Sequence, residues 1–390
     1  MILVMKFGGS SVANKERILN VANIIKGKII EGYKPVVVVS AMGKTTDNLL
    51  NLAYEISKNP PKRELDMLIS VGERISMALL SIALNDIGIP SRSFTGSQVG
   101  IITENRFNNA RIMEVKLNRV IDCLNNNEVP IVAGFQGVSI EKEITTLGRG
   151  GSDLTAIAIA IELNKRFGNV KCEIWTDVDG VYATDPRIKK SYKFDKINFD
   201  MLIEMASFGA KVMHSRAVSL SAKFNFPFHI YSSFEKGGGT MVGDFLESPK
   251  IKSITQMDVV LIKMKHNNEI LKKLTSNDIQ IVLFQKLSNS IILVIKQSDF
   301  NQFRNLFESF ESYHDKKFIS VIGYGLINSP EIHSKIIKYP IEFLTISDLR
   351  ISFLIDNSFF ENILDELTSN SVSYTHLRAH ETPEHLVCRL

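Results

Sequence analysis

Ile2-Leu3-Val4-Met5-Lys6-Phe7 runs directly into Gly8-Gly9-Ser10-Ser11, and from Glu16 to Lys28 apolar residues recur at three- and four-residue spacing. A short apolar β-rich run, a glycine turn and an amphipathic helix make the opening unit of an open α/β sheet. The alternation continues: Val36 to Ser40, Ile131 to Phe135 and Cys172 to Thr176 read as further buried strands. Glu64 to Leu84, Ala110 to Leu124 and Asp153 to Asn164 read as helices between them. The pattern predicts a three-layer α/β/α sandwich over residues 1–245. Ligands of such sheets gather beyond the carboxyl ends of the strands, where glycine loops and helix N-termini offer N–H donors, so chemistry is sought there.

A chain of 390 residues with 44% hydrophobic and 23% charged residues has room for two or three domains and is not disordered, collagenous or a disulfide miniprotein. The net charge of +4 comes without a long Lys/Arg block, so no nucleic-acid or membrane partner is expected and small molecules are. Cys123, Cys172 and Cys388 lie far apart without CxxC spacing, which fits a reducing compartment and predicts the cytoplasm. The N-terminus is apolar for five residues only, too few for a leader, and no stretch approaches about 18 uncharged apolar residues.

Gly237-Gly238-Gly239-Thr240, followed by Glu247-Ser248-Pro249-Lys250, marks a boundary. Beyond it two cycles of strand, helix, strand, strand, helix are predicted, one starting at Val259 to Met264 and the other at Phe318 to Ile322. They define small α+β modules over 246–316 and 317–372. Residues 373–390 stand apart, with three of the eight histidines and no isoleucine, and read as a foreign or disordered tail. His376, His380, His385 and Cys388 have helical, metal-like spacing but no closed shell, so no metal ligands are assigned.

Within the sandwich, Lys6-Phe7-Gly8-Gly9-Ser10 can cradle a phosphate with backbone N–H groups and one ammonium, or form an ordinary tight turn. Thr146-Leu147-Gly148-Arg149-Gly150-Gly151-Ser152-Asp153 frames an arginine with three glycines, and its guanidinium offers a fork for a carboxylate. Asp153 stands where a helix begins and reads as a cap as well. Trp175-Thr176-Asp177-Val178-Asp179-Gly180-Val181-Tyr182, with Asp185-Pro186-Arg187 after it, lacks the spacing and closing Glu of a calcium loop and reads as a polar turn at a strand end. Ser40-Ala41-Met42-Gly43-Lys44-Thr45-Thr46-Asp47 follows another strand. Gly72-Glu73-Arg74-Ile75-Ser76 interrupts a helical pattern, its charges reading by default as a solvated face. Phe208-Gly209-Ala210-Lys211-Val212-Met213-His214 adds a lysine, ordinarily a snorkelling one, and a histidine that reads as a core or helix residue.

In this order the motifs KFGGSSV (6–12), VVSAMGKTTD (38–47), GERIS (72–76), AGFQG (133–137), TTLGRGGSDLTA (145–156), WTDVDGVYATDPR (175–187) and FGAKVMH (208–214) resemble the aspartate kinases of the amino-acid kinase family. The resemblance spans 1–245 and implies transfer of the γ-phosphoryl group of ATP to the β-carboxylate of L-aspartate, giving 4-phospho-L-aspartate, the entry to lysine, threonine and methionine. It implies Lys6, Asp153 and Lys211 as catalytic residues, with Asp153 orienting the two lysines. Ser40, Thr46, Glu73, Phe135, Arg149 and Ser152 would bind the substrate, Arg149 its α-carboxylate and Glu73 its α-ammonium. Phe7, Gly8, Gly9, Ser10, Thr176, Asp177, Tyr182, Asp185 and Arg187, with the two lysines, would bind the nucleotide. Magnesium (Mg2+) would ride largely on the ATP phosphates.

The C-terminal modules resemble paired ACT domains, implying an amino-acid effector such as lysine or threonine and a homodimer or larger homo-oligomer. They depart from that pattern at Lys265-His266-Asn267-Asn268 and at Ser347-Asp348, where a glycine turn and a longer loop are usual. Another carboxylate kinase on the same scaffold, or a silent amino-acid sensor, are the alternatives.

Overall fold

The computed structural model describes residues 1–189, 191–210, 212–235, 237–245, 250–267 and 269–368. Lys211 and the 373–390 tail, including its histidines and Cys388, lie outside the described residues. Two compact units divide the chain, Met1–Leu246 and Glu247–Leu390.

The first unit is built on eight strands in the spatial order 196–198, 240–243, 228–232, 170–176, 2–7, 34–39, 129–133 and 91–94. All neighbours run parallel except Phe228–Ser232 with Thr240–Gly243. Register sets the site: Phe7 lies opposite both Val39 and Trp175, and Val39 opposite Ala133. Four adjacent strands therefore end level, and the glycine loop, Ser40, Gly134 and Thr176 emerge on one rim.

The central strands Ile2–Phe7, Lys34–Val39 and Val129–Ala133 are buried on both faces because helices cover both. Leu3, Met5 and Phe7 pack with Val21 and Ile25 of the helix Lys15–Ile30 and Leu80 and Leu84 of the helix Val71–Asp86. The helix Gly151–Phe167 is buried from Gly151 to Ile161, which accounts for its Ala/Ile composition: a helix apolar all round belongs in a core.

Two helix expectations are corrected. Ala110 to Leu124 is a strand, Ile112–Val115, then a helix, Asn118–Asn125, with Leu117 at φ 59° between them. The strand pairs antiparallel with Ile101–Thr103 in a separate four-stranded sheet completed by Gln136–Ser139 and Ile144–Thr146, so long-range pairing overrides the local helical spacing. Glu64 to Leu84 is two helices, Lys62–Ile69 and Val71–Asp86, meeting at Ser70, whose carbonyl accepts from Gln136 Nε2 at 2.8 Å. By length and composition this 62–86 stretch could cross a membrane, yet it carries buried Asp66, Glu73 and Ser76.

In the second unit both predicted cycles are present, and they share one six-stranded antiparallel sheet in the order 281–286, 290–296, 250–265, 311–324, 350–356, 343–346. The strands Lys250–Lys265 and Glu311–Tyr324 pair along most of their lengths and fuse the two cycles. Each half has its own core: Val260, Ile262, Leu293 and Phe303 in one, Ile319, Val321, Phe353 and Ile363 in the other. These are the α+β elements of paired ACT-like modules.

Candidate active site

The rim is knitted together by short contacts between its loops. Gly8 N–H donates to the Trp175 carbonyl at 3.0 Å, Ser40 N–H to the Phe7 carbonyl at 3.1 Å and Gly134 N–H to the Val39 carbonyl at 3.0 Å. Gly9 lies so near the next loop that a Cβ there would sit 2.8 Å from the Ala41 carbonyl oxygen, and Gly43 N–H donates back to the Gly9 carbonyl at 3.0 Å. Only a residue without a side chain permits that approach.

Lys6, 8% exposed, extends its ammonium to within 2.6 Å of Asp153 Oδ1. Asp153 is not the helix cap expected: Gly150 occupies the cap position at φ +72°, and the Asp153 carboxylate is turned to the sheet. A buried pair of this kind is tolerated because each charge neutralises the other. Ser152 packs against Gly134, bringing the helix start onto the same rim.

Glu73 also departs from its default reading, being 3% exposed rather than on a solvated face. Its Oε1 accepts from Ala41 N–H at 3.1 Å, while Oε2 is buried without a hydrogen-bond partner. Burial pushes this carboxyl up to about 8, against the pull of two backbone N–H groups. Ser76 Oγ, one turn on, donates to the Ser40 carbonyl at 2.7 Å and ties the helix to the strand end. Thr46 stands in the first turn of the helix Thr45–Ile56, next along the same loop.

Phe135 carries backbone strain, with φ 68° in a region bulky residues avoid. Its N–H donates to Thr155 Oγ1 at 3.1 Å and its carbonyl accepts from Leu147 N–H at 2.8 Å, so both sides of the strained peptide are held. Arg149 is exposed and makes no hydrogen bond or ion pair with another described residue. Gly150 beneath it is in the left-handed region, and a Cβ there would strike His214, so glycine is required on two counts.

The remaining predicted residues form a neighbouring group. Thr176 Oγ1 donates to Asp177 Oδ1 at 3.1 Å. Tyr182 donates its hydroxyl to Asp179 at 2.5 Å, and Lys193 pairs with the other Asp179 oxygen at 2.8 Å. These donors hold Asp179 below its ordinary value despite partial burial, and the tyrosine is pushed up to about 12. Arg187 grips Asp185 through Nε at 3.0 Å and Nη2 at 2.8 Å.

Such a rim offers a glycine cradle beside a lysine, a buried carboxyl with one oxygen lacking a donor among the described residues, and a guanidinium with no partner among them. The amino acid kinase family matches residues 1–232. The aspartokinase of Geobacillus stearothermophilus is 38% identical over 394 residues, covering 94% of this chain and 96% of that protein. The chain belongs to the aspartokinases.

Solved aspartokinases share the fold. That of E. coli aspartokinase III in complex with aspartate and ADP superimposes with a TM-score of 0.78 at 24% identity, covering 95% of this chain and 99% of the other. The same enzyme with lysine and aspartate gives 0.74 at 24% identity over the same shares. As an aspartokinase the chain is a phosphotransferase with a carboxyl acceptor, acting in amino-acid biosynthesis.

Three polar residues of this aspartokinase site escape sequence reading. Ser233 Oγ donates to Ser11 Oγ at 2.8 Å, and Ser233 N–H to the Thr176 carbonyl at 2.9 Å, joining the glycine loop to two strand ends. The signal was present: Ser232-Ser233 follows a strand as Ser10-Ser11 does. Asp66 and Arg216, which grip the base of the Arg149 loop, gave less. Asp66 was detectable only as a charge at an apolar helix position.

Proposed function

We propose that the chain transfers the γ-phosphoryl group of ATP to the β-carboxylate of L-aspartate with the residues of this rim in distinct roles. A β-carboxylate oxygen attacks the γ-phosphorus as the bond to the ADP oxygen breaks, giving 4-phospho-L-aspartate and ADP. The nucleophile is already ionised at neutral pH, so no general base is needed. Catalysis then rests on in-line positioning and on cations facing the spreading phosphoryl charge. Lys6, held by Asp153, supplies one such cation beside the Gly8-Gly9-Ser10 cradle, and Lys211 supplies a second by the family pattern. Thr176, Asp177, Tyr182, Asp185 and Arg187 hold the nucleotide from the adjoining strand end.

The observation that carries the substrate assignment is Glu73: a buried carboxyl whose second oxygen lacks a donor suits an ammonium better than any other part of the substrate. Arg149, without an acid partner, takes the α-carboxylate, and Ser40, Thr46, Phe135 and Ser152 complete the pocket. Magnesium fits as an ion carried by the triphosphate. No group of three His, Cys, Asp or Glu able to hold a metal occurs among the described residues, so phosphate oxygens and water would make most of its shell. Bound there it would neutralise phosphate charge.

We infer that the second unit, as a pair of ACT-like modules, binds an amino-acid effector such as lysine or threonine and takes part in association into a homodimer or larger homo-oligomer. The domain limits we assign are 1–245, 246–316 and 317–372, and the enzyme works in the cytoplasm. A hydroxamate assay on the purified chain with ATP, magnesium and each candidate amino acid tests the function. Turnover with aspartate is expected; turnover with glutamate or acetylglutamate alone would refute it, and no turnover with any would favour a silent sensor.

A further inference from the structure

Arg149 stands on a tight loop closed by one turn bond, Gly151 N–H to the Gly148 carbonyl at 2.9 Å, and anchored mainly at its base. Gly148 and Gly150 on either side have φ of +79° and +72°, and the guanidinium finds no partner among the described residues. Its position must be imposed at the loop's base. Two side chains of opposite charge grip that base. Asp66, fully buried in the helix Lys62–Ile69, accepts from Thr146 N–H at 2.8 Å, Thr146 Oγ1 at 2.7 Å and Asn108 N–H at 3.0 Å. Arg216, half-buried in the helix Ser215–Lys223, donates to the Leu147 carbonyl at 2.6 Å, Asn109 Oδ1 at 2.5 Å and the Ala110 carbonyl at 2.9 Å. Ala110 N–H donates to the Thr146 carbonyl at 2.9 Å and closes the ring.

Residues 146 and 147, immediately before Gly148, are thus each tied to a formal charge, and the same two charges hold 108–110. Hydrogen bonds to ionised groups are about twice as strong as neutral ones, so these contacts hold the loop base more firmly than backbone bonds alone would. Burial lowers the Arg216 pKa from its usual value without threatening its charge, because a guanidinium stays protonated at any physiological pH.

We propose that Asp66 and Arg216 are positioning residues for substrate recognition: by clamping the base of the 146–150 loop they fix where Arg149 meets the α-carboxylate of the amino acid. The inference rests on the assignment of Arg149 to that carboxylate. A misplacement of about 1 Å at a binding group can cost about a hundredfold, so the clamp is read in substrate affinity.

The test is a double-mutant cycle in steady-state kinetics on the full chain. Arg216→Lys keeps the charge and loses the fork. Its aspartate KM should rise about tenfold or more, with ATP KM and kcat at saturating aspartate nearly unchanged. In an Arg149→Ala background the same substitution should add little, since its effect passes through Arg149. Equal rises in both KM values, or a full effect without Arg149, overturn the proposal while leaving the Arg149 assignment intact. An Arg149→Ala enzyme with unchanged aspartate KM removes that assignment and the clamp with it. Should Arg216→Lys fail to fold, Asn109→Ala removes one acceptor from the partly exposed side of the clamp. It should give a smaller rise in aspartate KM that vanishes without Arg149; a wild-type KM refutes the clamp.

Discussion

With Glu73 assigned to the α-ammonium of aspartate as proposed, aspartate binding should depend on pH in a calculable way. The Glu73 carboxyl is raised to about 8 by burial, so at pH 7 it is mostly protonated until aspartate binds. If the α-ammonium of aspartate binds the carboxylate form, the proton must leave first, and apparent affinity is reduced by the fraction ionised. For a value of about 8 that penalty is about elevenfold at pH 7 and about twofold at pH 8, so affinity should rise about fivefold across that unit. Titration calorimetry at pH 7 in buffers of different ionisation enthalpy should report about 0.9 protons released per aspartate bound, and Glu73→Gln should abolish the release.

Stability carries the opposite sign. Because the folded carboxyl titrates above its unfolded value, the native state binds the extra proton between about 4.5 and 8, and stability falls as pH rises through that window. Ligand-free Glu73→Gln should therefore gain in Tm over wild type at pH 8.5 and not at pH 4. A pH-independent affinity with no proton release would refute the reasoning, and so would release that survives in Glu73→Gln.

Other outcomes follow from the same geometry. Arg149→Ala should raise the aspartate KM strongly while ATP binding, followed by calorimetry, persists, because it removes substrate charge pairing only. Lys6→Ala should lower kcat by about a hundredfold or more in the coupled ADP assay, and circular dichroism should show the fold retained. Gly9→Ala must push against the Ala41 carbonyl at 2.8 Å, so nucleotide affinity should fall and the Glu73 helix, which holds Ala41 N–H, should loosen in hydrogen exchange.

How much of this was legible depended on whether the controlling interaction was local. The strand 2–7, its glycine loop and the helix after it were readable because apolar runs, turn residues and helical periodicity all agree over a short stretch. The strand at 112–115 was not, since its pairing partner lies at 101–103 and its neighbourhood also satisfies a helical spacing. Lys6, Glu73, Arg149 and Asp153 were named from motifs, but their states were hidden. Nothing in Gly72-Glu73-Arg74 reveals that one charge is buried against Ala41. Asp66 and Arg216 escaped notice for the same reason: their partners are backbone groups 80 and 69 residues away, and sequence carries no mark of a carbonyl in need of a donor.

The charges of the rim bear on how it can meet two anionic ligands. Lys6 is neutralised by Asp153, Asp179 by Lys193, and Arg187 by Asp185, while Glu73 avoids its cost by keeping a proton. Of these, Lys6, Asp153 and Glu73 are buried, and there compensation is what a low-dielectric setting demands. Arg149 can afford to be unpaired because it is exposed, where an uncompensated charge is cheap. If Arg149 takes the substrate carboxylate as proposed, its long-range attraction for a dicarboxylate is undiminished by a partner among the described residues. Aspartate affinity should accordingly weaken with ionic strength, and a neutral Arg149 variant should lose most of that dependence. An equal salt dependence in wild type and Arg149→Ala would mean that the attraction comes from elsewhere on the rim.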